Sequence, residues 1–209
     1  MVLWGFYEAY PNNQLLATIH AAALGKNEKM IIFPGVSGSG KTTLASFLIT
    51  KNWLYAGDDI IGLSNNENYY EVLPFQSALS IKPGSWDLLS PLYPELNNSP
   101  IISYSGKDAK FISAPHNSHK CIEKKSRIPC AIVFPKYDKN IETRLQPISS
   151  IQAIKDLIEV GIRTGEKLEN NLLDKLFDVI EKLPKYYLYY SSMEEAEELL
   201  IKSVIEAKK

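Results

Sequence analysis

An α/β domain is the fold class the sequence predicts, and two observations predict it. The first is Gly35-Val36-Ser37-Gly38-Ser39-Gly40-Lys41-Thr42, set between a short apolar run (30–34) and a helix-forming stretch (43–49). Strand, glycine turn and helix in that order make the geometry of a phosphate cradle. The second is the surrounding pattern. Short apolar runs bounded by turn residues fill the first two thirds of the chain, and helical periodicity interleaved with strand fills the last third.

The cradle has a physical logic. Glycines let the backbone curl so that successive N–H groups point inward, and the N-terminus of the following helix adds positive partial charge. Gly35, Ser37, Gly38, Ser39, Gly40, Lys41, Thr42 and Thr43 are therefore candidate contacts to a nucleoside triphosphate. Lys41 would reach the β- and γ-phosphates, and the Thr42 hydroxyl would ligate Mg²⁺.

The other elements follow in chain order. Residues 2–10 are aromatic-rich and read as a first strand, with a turn at Pro11-Asn12-Asn13. Residues 15–24 fit a strand or a short helix, and the turn at 25–28 predicts a hairpin into the phosphate-loop strand. His20 lies in this segment. A lone histidine among apolar neighbours is usually a satisfied core or edge residue, but that hairpin would bring it beside the transferred phosphate. After the first helix, the apolar run 53–56 ends in Gly57-Asp58-Asp59. A strand that delivers carboxylates soon after a phosphate loop is the usual partner of Mg²⁺. Neighbouring strand residues point to opposite faces, so one aspartate can hold the metal while the other accepts a hydroxyl proton.

Residues 69–75 and 79–81 read as strands, 86–93 as a short helix, and 101–106 with 109–113 as a strand pair. Residues 114–127 read as a loop; His116 and His119 within it lack a third ligand, and Lys120, Lys124, Lys125 and Arg127 read as solvated. Residues 130–135 form a buried strand. Ser149 or Ser150 caps a helix with Ile151, Ile154, Leu157 and Ile158 at helical spacing. A second helix carries Leu168, Leu172, Leu173, Leu176, Phe177, Ile180 and Leu183 on one face and stops at Pro184. Residues 186–190 are a last strand, and Ser192 with Glu195 opens a capped C-terminal helix.

Composition narrows the function classes. Length and the absence of a linker or repeat predict one domain over 1–209, and 45% hydrophobic with 22% charged residues is a globular balance. A formal net charge of −1 predicts neither nucleic acid nor an anionic membrane as partner. Cys121 and Cys130 form no metal-ligand spacing or disulfide framework, and with no secretory leader in the sequence a cytoplasmic setting is expected.

In this order the residues resemble the catalytic domain of HPr kinase/phosphorylase, and more closely the stand-alone HPr-kinase-related proteins. The resemblance rests on His20 before the loop strand, on Pro34 through Ala45, on Asn52 through Asp59, and on Leu79-Ser80-Ile81-Lys82-Pro83-Gly84-Ser85-Trp86. It continues through Ile132 to Tyr137 and through Leu183 to Ala196. It implies a phosphoenolpyruvate-carboxykinase-like P-loop domain, with a mixed, largely β centre flanked by helices. It also implies ATP and Mg²⁺ as cofactors, Asp58 as catalytic base assisted by His20, and Asp59 with Thr42 as metal ligands. The isoleucine-arginine-glycine-leucine-glycine signature of true HPr kinases is absent, which argues against HPr as substrate.

The expected reaction is transfer of the γ-phosphoryl group of ATP to a hydroxyl, serine first, on a protein, peptide or small molecule, with Lys41 stabilising the transferred group. Lys82 is expected either at the phosphates or acceptor or in a surface ion pair. The alternative class is an ATP-binding regulatory protein without transfer; a transport NTPase is disfavoured by the missing Leu-Ser-Gly-Gly-Gln signature. The sequence leaves the acceptor and a homo-oligomeric state open.

Overall fold

A computed structural model of the chain describes residues 2–11, 14–66, 69–104, 106–113, 127–164 and 170–207. The architecture is mixed α/β with three sheets. In chain order come α1 (Val2–Ala9), β1 (Gln14–Ile19), β2 (Ala21–Lys26), β3 (Lys29–Pro34), α2 (Lys41–Thr50), β4 (Leu54–Gly57), β5 (Ile61–Asn66) and β6 (Tyr69–Leu73). Then follow β7 (Leu79–Ile81), α3 (Trp86–Leu89), β8 (Ile102–Tyr104), β9 (Lys107–Ile112) and β10 (Pro129–Tyr137). The chain continues with β11 (Arg144–Pro147), α4 (Ser150–Val160), β12 (Arg163–Thr164), α5 (Asn170–Lys182), β13 (Lys185–Tyr190) and α6 (Met193–Leu200).

The central sheet has the order β11-β13-β10-β3-β2-β4. Residues 21–24, 30–33 and 131–134 of its middle strands are apolar at every position because both faces are covered. Ala22, Leu24, Ile31, Phe33, Ala131 and Val133 face one core, shared with α2, β7, α3 and α6. Their alternates Ala21, Ala23, Met30, Ile32, Ile132 and Phe134 face a second core with β1, β5, β6, α4 and α5. This strict period of two turns a short apolar run into a two-sided wall. β3 pairs antiparallel with β2, completing the expected hairpin, and parallel with β10, which in turn runs parallel with β13. Two smaller sheets, β12-β1-β5-β6 and β7-β9-β8, lie outside this layer.

Several expectations change. Residues 2–9 are helical rather than a strand. On a strand Glu8 would share the face of Phe6 and Tyr10; the helix turns Glu8 to solvent while Phe6 is buried with Leu15 and Leu73. In α4 the inward stripe is Ala153, Leu157 and Val160, leaving Ile151 and Ile158 exposed, and Phe177 of α5 is also exposed. Arg127 is not a solvated loop residue: it is buried and lies 3.2 Å from the buried Glu71. The helix caps stand as read, with Ser149 Oγ accepting from the Gln152 amide and Ser192 Oγ from the Glu195 amide. β11 and β12 were not anticipated. Glu67, Asn68, His116, His119, Lys120, Cys121, Lys124, Lys125 and Leu168 lie outside the described residues. Among the described residues, no helix is long and apolar enough to cross a membrane.

Candidate functional site

β3 delivers the loop 35–40 to the edge of the central sheet, and α2 starts at Lys41. Gly40, the residue before the helix, has φ +89°, a conformation that L side chains rarely adopt. No side chain caps α2, so the donors of its first turn are left for a ligand. The loop is held by the two strands that follow β3 across the sheet, β10 and β13. Tyr190, at the end of β13, donates its hydroxyl to the Gly40 carbonyl at 3.0 Å, and the Tyr137 amide donates to the Ser39 carbonyl at 3.1 Å. Burial pushes the Tyr190 phenol well above its ordinary pKa, so it stays a donor.

The segment after β7 crosses the loop from the other flank. Lys82 Nζ donates to Ser37 Oγ at 2.6 Å, and the hydroxyls of Ser85 and Thr43 are 2.6 Å apart. Lys82 thus meets the loop itself rather than a surface carboxylate.

Lys41 is buried, and its ammonium lies 2.8 Å from Asp58 Oδ1 and 3.5 Å from Asp59 Oδ1. The two aspartates do not point to opposite faces as strand alternation requires. β4 ends at Gly57, and Asp59 takes φ +75°, so the chain bends and both carboxylates turn to the same ammonium. A left-handed aspartate is tolerated because its short side chain bonds locally, and such strain gathers at functional sites.

The two then differ in exposure. Asp58 is 2% exposed, while the Asp59 side chain is 58% exposed. His20, at the bend between β1 and β2, places Nε2 3.7 Å from Asp59 Oδ1. That imidazole, with help from Lys41 and against the pull of burial, holds the Asp59 carboxyl down at about 2.

These groups open on one cavity of about 780 Å³ lined by the loop, His20, Asp59, Lys82, Leu88, Tyr137 and Glu194. Asp58 is not among the lining residues. Among the described residues no group of three His, Cys, Asp or Glu could by itself hold a metal ion. The donor set nonetheless fits a phosphate-bound Mg²⁺, a hard cation that takes few protein oxygens and completes its shell with phosphate and water. Thr42 and Asp59 both line the cavity, and Ser39 Oγ and Asp58 Oδ2 are buried without a hydrogen bond.

No family model matches the chain, and no curated protein matches it. Among solved structures it is similar to the Hpr(Ser) kinase/phosphatase from Coxiella burnetii. Identity is 13%, coverage is 90% of this chain and 93% of that one, and the TM-score is 0.37. So distant a likeness carries no argument about chemistry.

Of the residues singled out in the sequence, His20, Lys41, Asp59 and Lys82 meet around the loop, and Asp58 stands behind Lys41. None of the three arginines lines the cavity. Arg127 is paired with Glu71, Arg144 stacks 4.4 Å over the Tyr189 ring, and Arg163 lies on β12. Sequence reasoning missed Tyr137, Tyr190 and Glu194. The signal that could have found them is the carboxyl end of a strand parallel to the loop strand, where ligands of α/β sheets gather.

Proposed function

We propose that the protein is an ATP-dependent kinase that transfers the γ-phosphoryl group to a hydroxyl, serine being the first candidate. The observation that carries this reading is the convergence, on one cavity, of an uncapped helix N-terminus, a buried lysine and an ionised carboxylate backed by an imidazole. Loop amides and Lys41 stabilise phosphate oxygens, and Lys82 adds a second positive charge at Ser37. Thr42 would hold Mg²⁺, completed by phosphate and water oxygens, and the ion would supply neutralisation of phosphate charge.

Asp59, rather than Asp58, is the better placed group to accept the acceptor's proton. A general base has to reach the hydroxyl, and Asp59 lines the cavity while Asp58 is buried against Lys41. A carboxylate held near 2 is a weak base, which suits a loose transition state that needs positioning more than proton abstraction. Asp58 then acts through Lys41 by fixing its ammonium.

The test uses purified protein, Mg²⁺ and labelled ATP against serine peptides and small hydroxyl compounds. Asp59→Asn should abolish transfer and leave ATP binding largely intact, whereas Asp58→Asn should weaken ATP binding. Loss of transfer in Asp58→Asn with unchanged affinity, alongside an active Asp59→Asn, would return the base to Asp58. ATP binding without transfer to any acceptor would leave a nucleotide-binding regulatory protein.

A further inference from the structure

The short strand β7 is tied at one end to the acidic corner and at the other to the phosphate loop. Before it, Ser77 Oγ donates to the Asp58 carbonyl at 3.3 Å, and the Tyr55 hydroxyl donates to the Ser77 carbonyl at 2.9 Å. After it, Lys82 donates to Ser37 Oγ. Ser80 is the middle residue of the strand, so both tethers lie within three positions of it. Lys82 is itself extended, with φ −83° and ψ 159°. Alternate residues of an extended chain share a face, so Ser80 and Lys82 point to one side while Leu79 and Ile81 turn into the core. Both Ser80 and Lys82 line the cavity. The Ser80 side chain is half-buried and makes no hydrogen bond among the described residues. Other serines of the cavity are engaged: Ser37 with Lys82, Ser85 with Thr43, and Ser192 as the cap of α6. Ser191 is unengaged too, but among the described residues no contact ties it to the acidic pair.

We propose that Ser80 is an internal phosphoryl acceptor, at which the chain phosphorylates itself in cis. The proposal rests on the kinase reading and adds to it an acceptor that belongs to the chain. Ser80 Oγ bonds to the γ-phosphorus of ATP while the bond from that phosphorus to the β,γ-bridging oxygen breaks. The hydroxyl proton passes to the Asp59 carboxylate, and the products are phosphoserine and ADP. A hydroxyl on a strand tethered at both ends is held at the site instead of arriving by diffusion, which raises its effective concentration.

The experiment incubates the full chain with Mg²⁺ and γ-labelled ATP, without any added acceptor, and maps the modified residue by mass spectrometry of its peptides. The label should sit on Ser80, and its rate constant should not change when the protein is diluted, as transfer in cis requires. Ser80→Ala should lose the label and keep its melting midpoint, because no hydrogen bond goes with the hydroxyl. Ser80→Thr, which keeps a hydroxyl, should regain part of the label. Label on Ser191 or another residue with Ser80 unmodified overturns the proposal, as does a rate constant that falls in proportion to dilution. So does an unlabelled chain that phosphorylates serine peptides, which leaves the kinase reading standing. A chain that binds ATP but labels neither itself nor any peptide or small hydroxyl compound overturns both.

Discussion

Adding one methyl group at Gly40 tests how tightly the loop is built into the sheet. A Cβ on Gly40 would lie 2.3 Å from the Tyr190 hydroxyl oxygen and 2.8 Å from Tyr137 Cβ. Gly38 has nearly the same backbone, φ +91° against +89°, yet a Cβ there meets nothing within 4 Å. Gly38→Ala therefore measures backbone strain alone, about 1–2 kcal/mol for a left-handed L-residue. Gly40→Ala carries that strain and also displaces the Tyr190 hydroxyl from the Gly40 carbonyl. Tyr190 is 1% exposed, so a hydroxyl left without a partner costs a further amount of about 1–3 kcal/mol. For a chain of this size each kcal/mol moves the melting midpoint by about 2–4 °C. The expected falls are about 2–8 °C for Gly38→Ala and about 4–20 °C for Gly40→Ala, read by thermal melting in one buffer. Tyr190→Phe placed on Gly40→Ala removes the nearest clashing atom and should recover part of the loss. Equal midpoints for the two alanine variants would refute the reasoning, because they would mean that Tyr190 does not brace the loop.

Three further outcomes are expected. Lys41→Ala leaves Asp58 charged and buried and should cost about 3–5 kcal/mol, and Asp58→Asn added to it should restore much of that in urea denaturation. A lack of recovery would mean that the pair is not coupled. Because the Asp59 carboxyl is lowered to about 2, its pairing stabilises the fold above the unfolded carboxyl pKa and is lost as pH falls toward 2. The stability gap between the unaltered chain and Asp59→Asn should therefore shrink between about pH 4 and pH 2, modestly, given that side chain's exposure. His20→Ala should lift the Asp59 pKa and shift the acid side of that gap upward, measured by melting at each pH.

What could be read from the sequence was carried by short-range signals. The loop, the β2–β3 hairpin, the acidic strand end and the Ser149 and Ser192 caps each announce themselves within a few residues, where turn and capping chemistry acts. α1 was misread because an aromatic run fits either period, and only the burial of Phe6 against Leu15 and Leu73 decides it. β11 and β12 are strands only by virtue of their partners: Arg144 to Pro147 pair with Tyr186 to Tyr189, and Arg163 and Thr164 with Thr18 and Ala17. The division of labour between Asp58 and Asp59 was hidden for another reason. It depends on one left-handed residue, and alternation along a strand gives no warning of it. Tyr137 and Tyr190 reach the loop through parallel pairings that join Met30 to Pro129 and Ile132 to Lys185, beyond any local pattern.

That long-distance bracing has a consequence for biosynthesis. Gly40 and the tyrosine that props it are separated by 150 positions, and β3 waits for residues 129–137 to fill its open edge. On a ribosome the glycine loop emerges early, while the strands that shape it are made much later. Contacts spanning such intervals are slow to close and come late in folding. A nascent chain halted before Tyr190 therefore carries every residue of the glycine loop yet lacks the brace at Gly40, and any grip on a triphosphate should tighten only once Tyr190 has been made.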